Sequence, residues 1–207
     1  MSLNTNCNLA YFSQHHNYMN ISYFKFIAVE ESELISEGYT HFRAILDRKR
    51  FISYEPFLQF QYDLGRGLLK RELAGFTLRA TLFKTKKIHI AVNTGGMYEH
   101  ELWEGEVLRY PIRERPDRAE TYFIKSTSNF SIRGDIANNV YLLFVTYYQA
   151  RFEKFLSPRI ITDVQLNVKI SRFFSISNQF TSTYDALPIL RNNKFIFSFD
   201  TNLVLTF

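Results

Sequence analysis

The stretch Val164-Gln165-Leu166-Asn167-Val168-Lys169-Ile170 decides the fold class. Its apolar side chains recur at every second position, and the polar ones fill the gaps. A period of two is that of a β-strand with unlike faces; a helix repeats every 3.6 residues. The same alternation recurs outward along the chain. It runs through Thr40–Leu46, through Phe76–Leu82, through Ile88, Ile90 and Val92, and through Phe195, Phe197 and Phe199. Val140–Tyr148 is apolar on both alternating faces, which reads as a central strand. The basic tip Lys84-Thr85-Lys86-Lys87 between two alternating runs marks a β-hairpin.

One segment breaks the pattern. Ser53 has the chemistry of an N-cap, and Glu55 and Pro56 suit a first helical turn. Phe57, Phe60, Leu64 and Leu68 follow at spacings of three or four. Gly65 and Gly67 interrupt the run. The expected class is therefore α+β, mainly β: a twisted antiparallel sheet or sandwich, with one or two short helices around residues 53–74. Residues 1–20 are polar and aperiodic and read as a flexible arm, leaving 21–207 as a single globular domain.

Charge is unevenly spread. The 207 residues carry a net charge of +5. Residues 43–87 alone hold 11 basic and 4 acidic groups. Within it Arg48, Lys49, Arg50, Arg66, Lys70, Arg71, Lys84, Lys86 and Lys87 fall at expected turns or helix ends. Converged in space, they would form one anion-attracting surface for lipid headgroups or for RNA without sequence preference. Residues 1–42 sum to −3, through Glu30, Glu31, Glu33 and Glu37 against Lys25. Cys7 is the single cysteine, so no intrachain disulfide and no cysteine metal cluster is expected. Met1–Asn20 lacks the basic start and apolar core of a signal peptide. No apolar run reaches the roughly 18 residues of a spanning helix, so membrane contact is expected to be peripheral.

Catalytic motifs are scarce. Gly65-Arg66-Gly67 and Gly95-Gly96 lack the context of a phosphate loop. Glu99-His100-Glu101, close to Glu104, is the best acid–base cluster, and a solvated acidic strand edge explains it more simply. The expectation is a non-enzymatic protein without cofactor or metal.

The order of elements resembles the matrix proteins of rhabdoviruses. A strand ends in Arg48-Lys49-Arg50-Phe51, a helix carries Tyr54 and Phe57, and two strands lead to Glu104-Gly105-Glu106-Val107-Leu108-Arg109-Tyr110-Pro111. An Arg-rich loop then precedes Asn129-Phe130-Ser131-Ile132 and the strand at Val140–Tyr148. The resemblance covers residues 39–148. It implies a structural protein of the virion that self-associates as a homo-oligomer, lies against the inner face of the host membrane from the cytoplasm, and bridges anionic lipid to ribonucleoprotein; the acidic segment with Glu30, Glu31, Glu33 and Glu37 would then dock on a neighbouring subunit's basic face. The Lys-rich tail and the Pro-Pro-x-Tyr motif of animal members are absent. The alternative is a small β-sandwich viral capsid or movement protein that binds RNA.

Overall fold

A computed structural model describes residues 2–29, 32–105, 108–113, 115–190 and 194–205. Its strands are β1 (Ser2–Phe12), β2 (Asn17–Val29), β3 (Ser32–Ile45), β4 (Ile52–Asp63), β5 (Leu68–Lys84) and β6 (Ile88–Glu104). They continue with β7 (Pro111–Ile112), β8 (Arg115–Ala137), β9 (Val140–Arg151), β10 (Arg159–Lys169), β11 (Phe174–Asp185) and β12 (Phe195–Leu205). All belong to one sheet, in which each strand lies beside its neighbours in sequence; only the short β7 sits off the path, against β8. The pairs β1–β2, β2–β3, β3–β4, β7–β8, β9–β10, β10–β11 and β11–β12 are antiparallel.

This corrects the expected fold class. The described residues contain no α-helix, only two three-residue 3₁₀ turns, at Leu64–Arg66 and Phe152–Lys154. The segment expected to be helical is strand β4, a 3₁₀ turn and the start of β5. Asp63 caps that turn, its carboxylate accepting from the Arg66 N–H at 3.1 Å, and Gly67 ends it with φ +74°. Ser53 is a buried strand residue and caps nothing. Among the described residues the strands form one sheet and not the two of a sandwich. Residues 2–12, read above as part of an arm, form β1 in full register with β2.

Contacts divide the chain into two compact units. The first comprises Met1–Leu78, Gly95–Lys125 and Pro188–Asn192; the second comprises Arg79–Thr94, Ser126–Leu187 and Asn193–Phe207.

In the second unit the registers of β9 to β12 sort the side chains by face. Leu142, Phe144, Val164, Leu166, Phe180, Phe197, Phe199 and Leu203 share one face. Asp163, Gln165, Asn167, Gln179, Thr181, Ser198, Asp200 and Asn202 share the other. The polar face is knitted together: Gln179 donates to Asp163 at 3.2 Å, Thr181 and Ser198 are 2.7 Å apart, and Arg159 donates to Asp185 at 2.7 Å. On the edge strand β12 the apolar face is open, with Phe197 and Phe199 each 64% exposed and Leu203 67%, while Leu142, Phe144, Val164, Leu166 and Phe180 on the inner strands are half-buried.

The first unit repeats the arrangement. Leu9, Tyr11, Phe24, Phe42, Leu58 and Phe60 are exposed on one face. Arg43, Glu55 and His41 lie on the other. Charged side chains are buried here, Glu55, Arg71, Glu99, Glu101 and Lys125, beside apolar ones such as Ile45, Leu73 and Met97. A small apolar cluster of Leu68, Trp103, Leu108, Ala119 and Ile189 sits at one end of the strands. The connection after β11 closes it, with the Arg109 N–H donating to the Ile189 carbonyl at 2.8 Å and Leu108 bridged to Leu190.

Candidate functional site: a buried ion-pair network

The densest chemistry lies on the inward face of β5, β6 and β8, all within the first unit. Glu99 is wholly buried and Glu101 is 1% exposed, because alternation on β6 sends both to the same side. The Arg71 guanidinium from β5 reaches both. Its terminal nitrogen is 2.6 Å from Glu99 and its Nε is 3.1 Å from Glu101. The Lys125 ammonium from β8 donates to the second oxygen of Glu99. The Trp103 indole N–H donates to Glu101 at 3.1 Å. Beside this network Arg43 of β3 lies 3.6 Å from Glu55 of β4.

Such a network acts as structure. Two carboxylates and two cations balance, and each carboxylate is held by at least two donors.

His100 points the other way. Its ring nitrogens are each 2.9 Å from a carboxylate, Glu72 on β5 and Glu120 on β8. Its face stacks on Tyr122, 4.4 Å between centroids and 5° from parallel. The Tyr122 hydroxyl donates to Glu120 at 2.6 Å, and Lys70 lies 3.2 Å from Glu72. The hydrogen bond from His100 holds the Glu72 carboxyl below its usual range, with Lys70 adding to the effect. Glu120 is held low by Tyr122 and then by His100. The triplet Glu99-His100-Glu101 thus splits between two faces, as a strand requires. Glu104 pairs with Arg118 at 2.9 Å.

The expected basic surface does not assemble as one patch within the first unit. Arg48, Lys49 and Arg50 lie in the turn before β4, and Arg66 lies in the turn after it. Twelve residues of β4 separate them, roughly 40 Å of strand. Arg48 donates to the Ser13 carbonyl at 2.9 Å, Arg50 lies 3.8 Å from Asp47 and Arg66 lies 3.6 Å from Asp63. Arg71 is buried in the network above, and Lys70 faces Glu72. Lys84, Lys86 and Lys87 are exposed at the β5–β6 tip, in the second unit. Of the acidic set, Glu30 and Glu31 lie outside the described residues, as does the side chain of Glu33. Glu37 lies 3.8 Å from Lys25 of its own chain.

The inward Arg71 and Lys125 were hidden because charge counting does not reveal which face of a strand a cation occupies. The signal for them was the alternation itself, Arg71 in step with Leu73 and Lys125 in step with Phe123.

No family model, curated protein or solved structure matches the chain.

Proposed function

We propose that this chain is a membrane-embedded β-protein, the apolar face of its sheet toward lipid and the polar face turned away from it. One observation carries the reading: charged side chains are buried while many large apolar ones stand exposed. Soluble sheets hide their apolar face in a core and show their polar face to water. Here phenylalanines and leucines stand exposed, while Glu99, Glu101, Arg71 and Lys125 are buried. Lipid is the solvent in which that arrangement is favourable, since acyl chains accept an apolar face at no cost. A sheet can meet lipid only when its strands satisfy one another's backbone groups, which favours a strand-after-strand order.

The dimensions agree. Strands of 11 or 12 residues, such as β1, β4 and β9 to β12, are about 36–40 Å long. Tilted about 45°, they cover the roughly 25 Å apolar band of such proteins. Tyr148, Ile160, Tyr184 and Phe195 fall in one row across β9 to β12, as an aromatic girdle would. The spanning parts of β5, β6 and β8 are then their residues 74–84, 88–98 and 124–137. Glu72, His100 and Glu120 stand beyond them, in the polar region. The network of Arg71, Glu99, Glu101 and Lys125 lies on the other face at the same end and braces the sheet.

The test is refolding into dilauroylphosphatidylcholine vesicles. The expected result is a folded species that migrates differently on gels before and after boiling and resists added protease. A chain that is monomeric, folded and protease-resistant in plain buffer would refute the proposal.

Peripheral docking in the manner of a viral matrix protein, on anionic lipid or ribonucleoprotein, is the second reading. The exposed Lys84, Lys86 and Lys87 favour it. It requires binding that vanishes at high salt, which separates the two.

A further inference from the structure

The second unit holds a buried amide with nothing to bond. Asn93 of β6 is 1% exposed, and neither its Oδ1 nor its Nδ2 has a hydrogen-bond partner among the described residues. A polar side chain buried in that state costs free energy and calls for an explanation. Alternation sets His89 on the same face of β6, and its buried Nδ1 also lacks a partner.

The flanking strands bring cations to this place. The Ser131 hydroxyl of β8 donates to the Ala91 carbonyl at 3.4 Å, and the Asp135 N–H donates to the Lys87 carbonyl at 2.9 Å. These two bonds set Arg133 of β8 beside His89. Across the β5–β6 hairpin the Thr85 N–H donates to the Ile88 carbonyl at 2.8 Å, which brings Lys84 to the other side of the ring. Arg79 of β5 is 8% exposed. The charges that act on His89 are those of Arg133, Arg79 and Lys84, all cations; with burial as the larger cause, they push the ring down to about 4. Burial deepens in one direction. Lys84 and Arg133 are exposed, His89 is half-buried, and Arg79 and Asn93 are buried. A positively charged mouth thus leads to hydrogen-bonding atoms that are still unused.

We propose that Arg79, Lys84, His89, Asn93 and Arg133 form a binding site for a phosphate group, inorganic phosphate being the simplest ligand. Guanidinium groups present paired N–H donors that match two oxygens of such an anion. Lys84 adds a point charge at the mouth. The Asn93 amide selects among anions. Its NH2 donates to one oxygen, and its Oδ1 accepts from a P–OH, which phosphate carries at neutral pH and sulfate does not. All five residues belong to the second unit, so the inference does not rest on the membrane-embedded reading.

The test is equilibrium dialysis of the full chain against radiolabelled phosphate at constant ionic strength, in dilauroylphosphatidylcholine vesicles or in whichever medium the chain folds. The expected result is saturable binding at one site per chain, which unlabelled phosphate displaces at least tenfold better than sulfate. Arg133→Gln, at an exposed position, should weaken binding about tenfold. Asn93→Leu should fold at least as well as the parent, because it deletes an amide without a partner, and should also weaken binding about tenfold. Lys86→Gln removes a cation at the same hairpin tip that is not among those acting on His89, and should change binding little. In histidine NMR, bound phosphate should raise the titration point of His89 above about 4, since an anion beside the ring favours its charged form.

Absence of saturable binding would overturn the inference. Equal losses in Lys86→Gln and Arg133→Gln would do the same, since they mean a diffuse positive field. So would unchanged affinity in Asn93→Leu, which means that the amide holds water. A chain that folds as a monomer and binds phosphate in plain buffer refutes the membrane reading alone; protease protection in vesicles without phosphate binding refutes this inference alone.

Discussion

At the scale of single residues, Glu99 is the keystone. It answers two cations, Arg71 and Lys125, in a site closed to water. Removing its charge leaves both cations buried with one fewer counter-charge. Glu99→Gln is expected to lower stability by about 3–5 kcal/mol, read from denaturant unfolding in detergent micelles. A Glu99→Leu, Lys125→Met double variant should recover most of the loss, since it removes one charge of each sign and leaves the Arg71–Glu101 pair intact. His100 gives a second prediction. Glu72 and Glu120 titrate below the ordinary 4.5, so the folded state binds fewer protons than the unfolded one just below that pH. Their contribution is complete above 4.5 and is lost as pH falls through their lowered values. Unfolding midpoints should drop below pH 4.5, and Glu72→Gln with Glu120→Gln should flatten that drop. The sequence did single out Glu99-His100-Glu101, as a solvated edge. Composition made it acidic; only the neighbouring strands make two of its members buried and the third a bridge.

At the scale of elements, alternation was readable and orientation was not. The run Val164–Lys169 is part of β10, and the hairpin with Lys86 at its tip joins β5 to β6. A period of two says that two faces differ. It is silent on whether the apolar one meets a core or a lipid, because both solvents select the same residues. The helix expected around residues 53–74 failed for a related reason. Phe57 and Phe60 are three apart, neighbours on a helix but on opposite faces of β4, where Phe60 is exposed and Gln59 and Gln61 occupy the inward row. Apolar residues on both faces imitate helical spacing. Two substitutions separate the faces. Phe199→Arg, on the bare face of β12, is expected to cost about 2–4 kcal/mol of folding free energy in vesicles. Gln179→Arg, on the polar face of β11, should cost far less. Gly134 offers a backbone test. It holds φ +143°, and an added Cβ would collide with the Lys87 carbonyl, so Gly134→Ala should destabilise by about 1–3 kcal/mol.

At the scale of the whole molecule, the two readings part on what holds the chain to a bilayer. Cations on lipid headgroups are screened within about 3 Å at 1 M salt. A protein held by its apolar face is indifferent to salt. The expected outcome is full retention on vesicles through a 1 M salt wash and through alkaline carbonate, followed by flotation. Complete release by salt would restore the matrix-like reading. The charge excess of residues 43–87 was a fair signal of something, yet it is spread along strands and turns: Arg71 turned inward, Arg66 and Arg48 at opposite ends of β4, and Lys84 to Lys87 at a hairpin tip. A linear charge count merges positions that a meander separates.

The strands are also unequal. β8 has 23 residues, roughly 75 Å of chain, where a bilayer consumes only about half of that. On the membrane-embedded reading, the surplus stands outside the acyl layer with Lys70, Glu72, His100 and Glu120, whose charges favour water. It is strand and not a tether, so an antibody raised to it should recognise the folded chain and lose its epitope on denaturation.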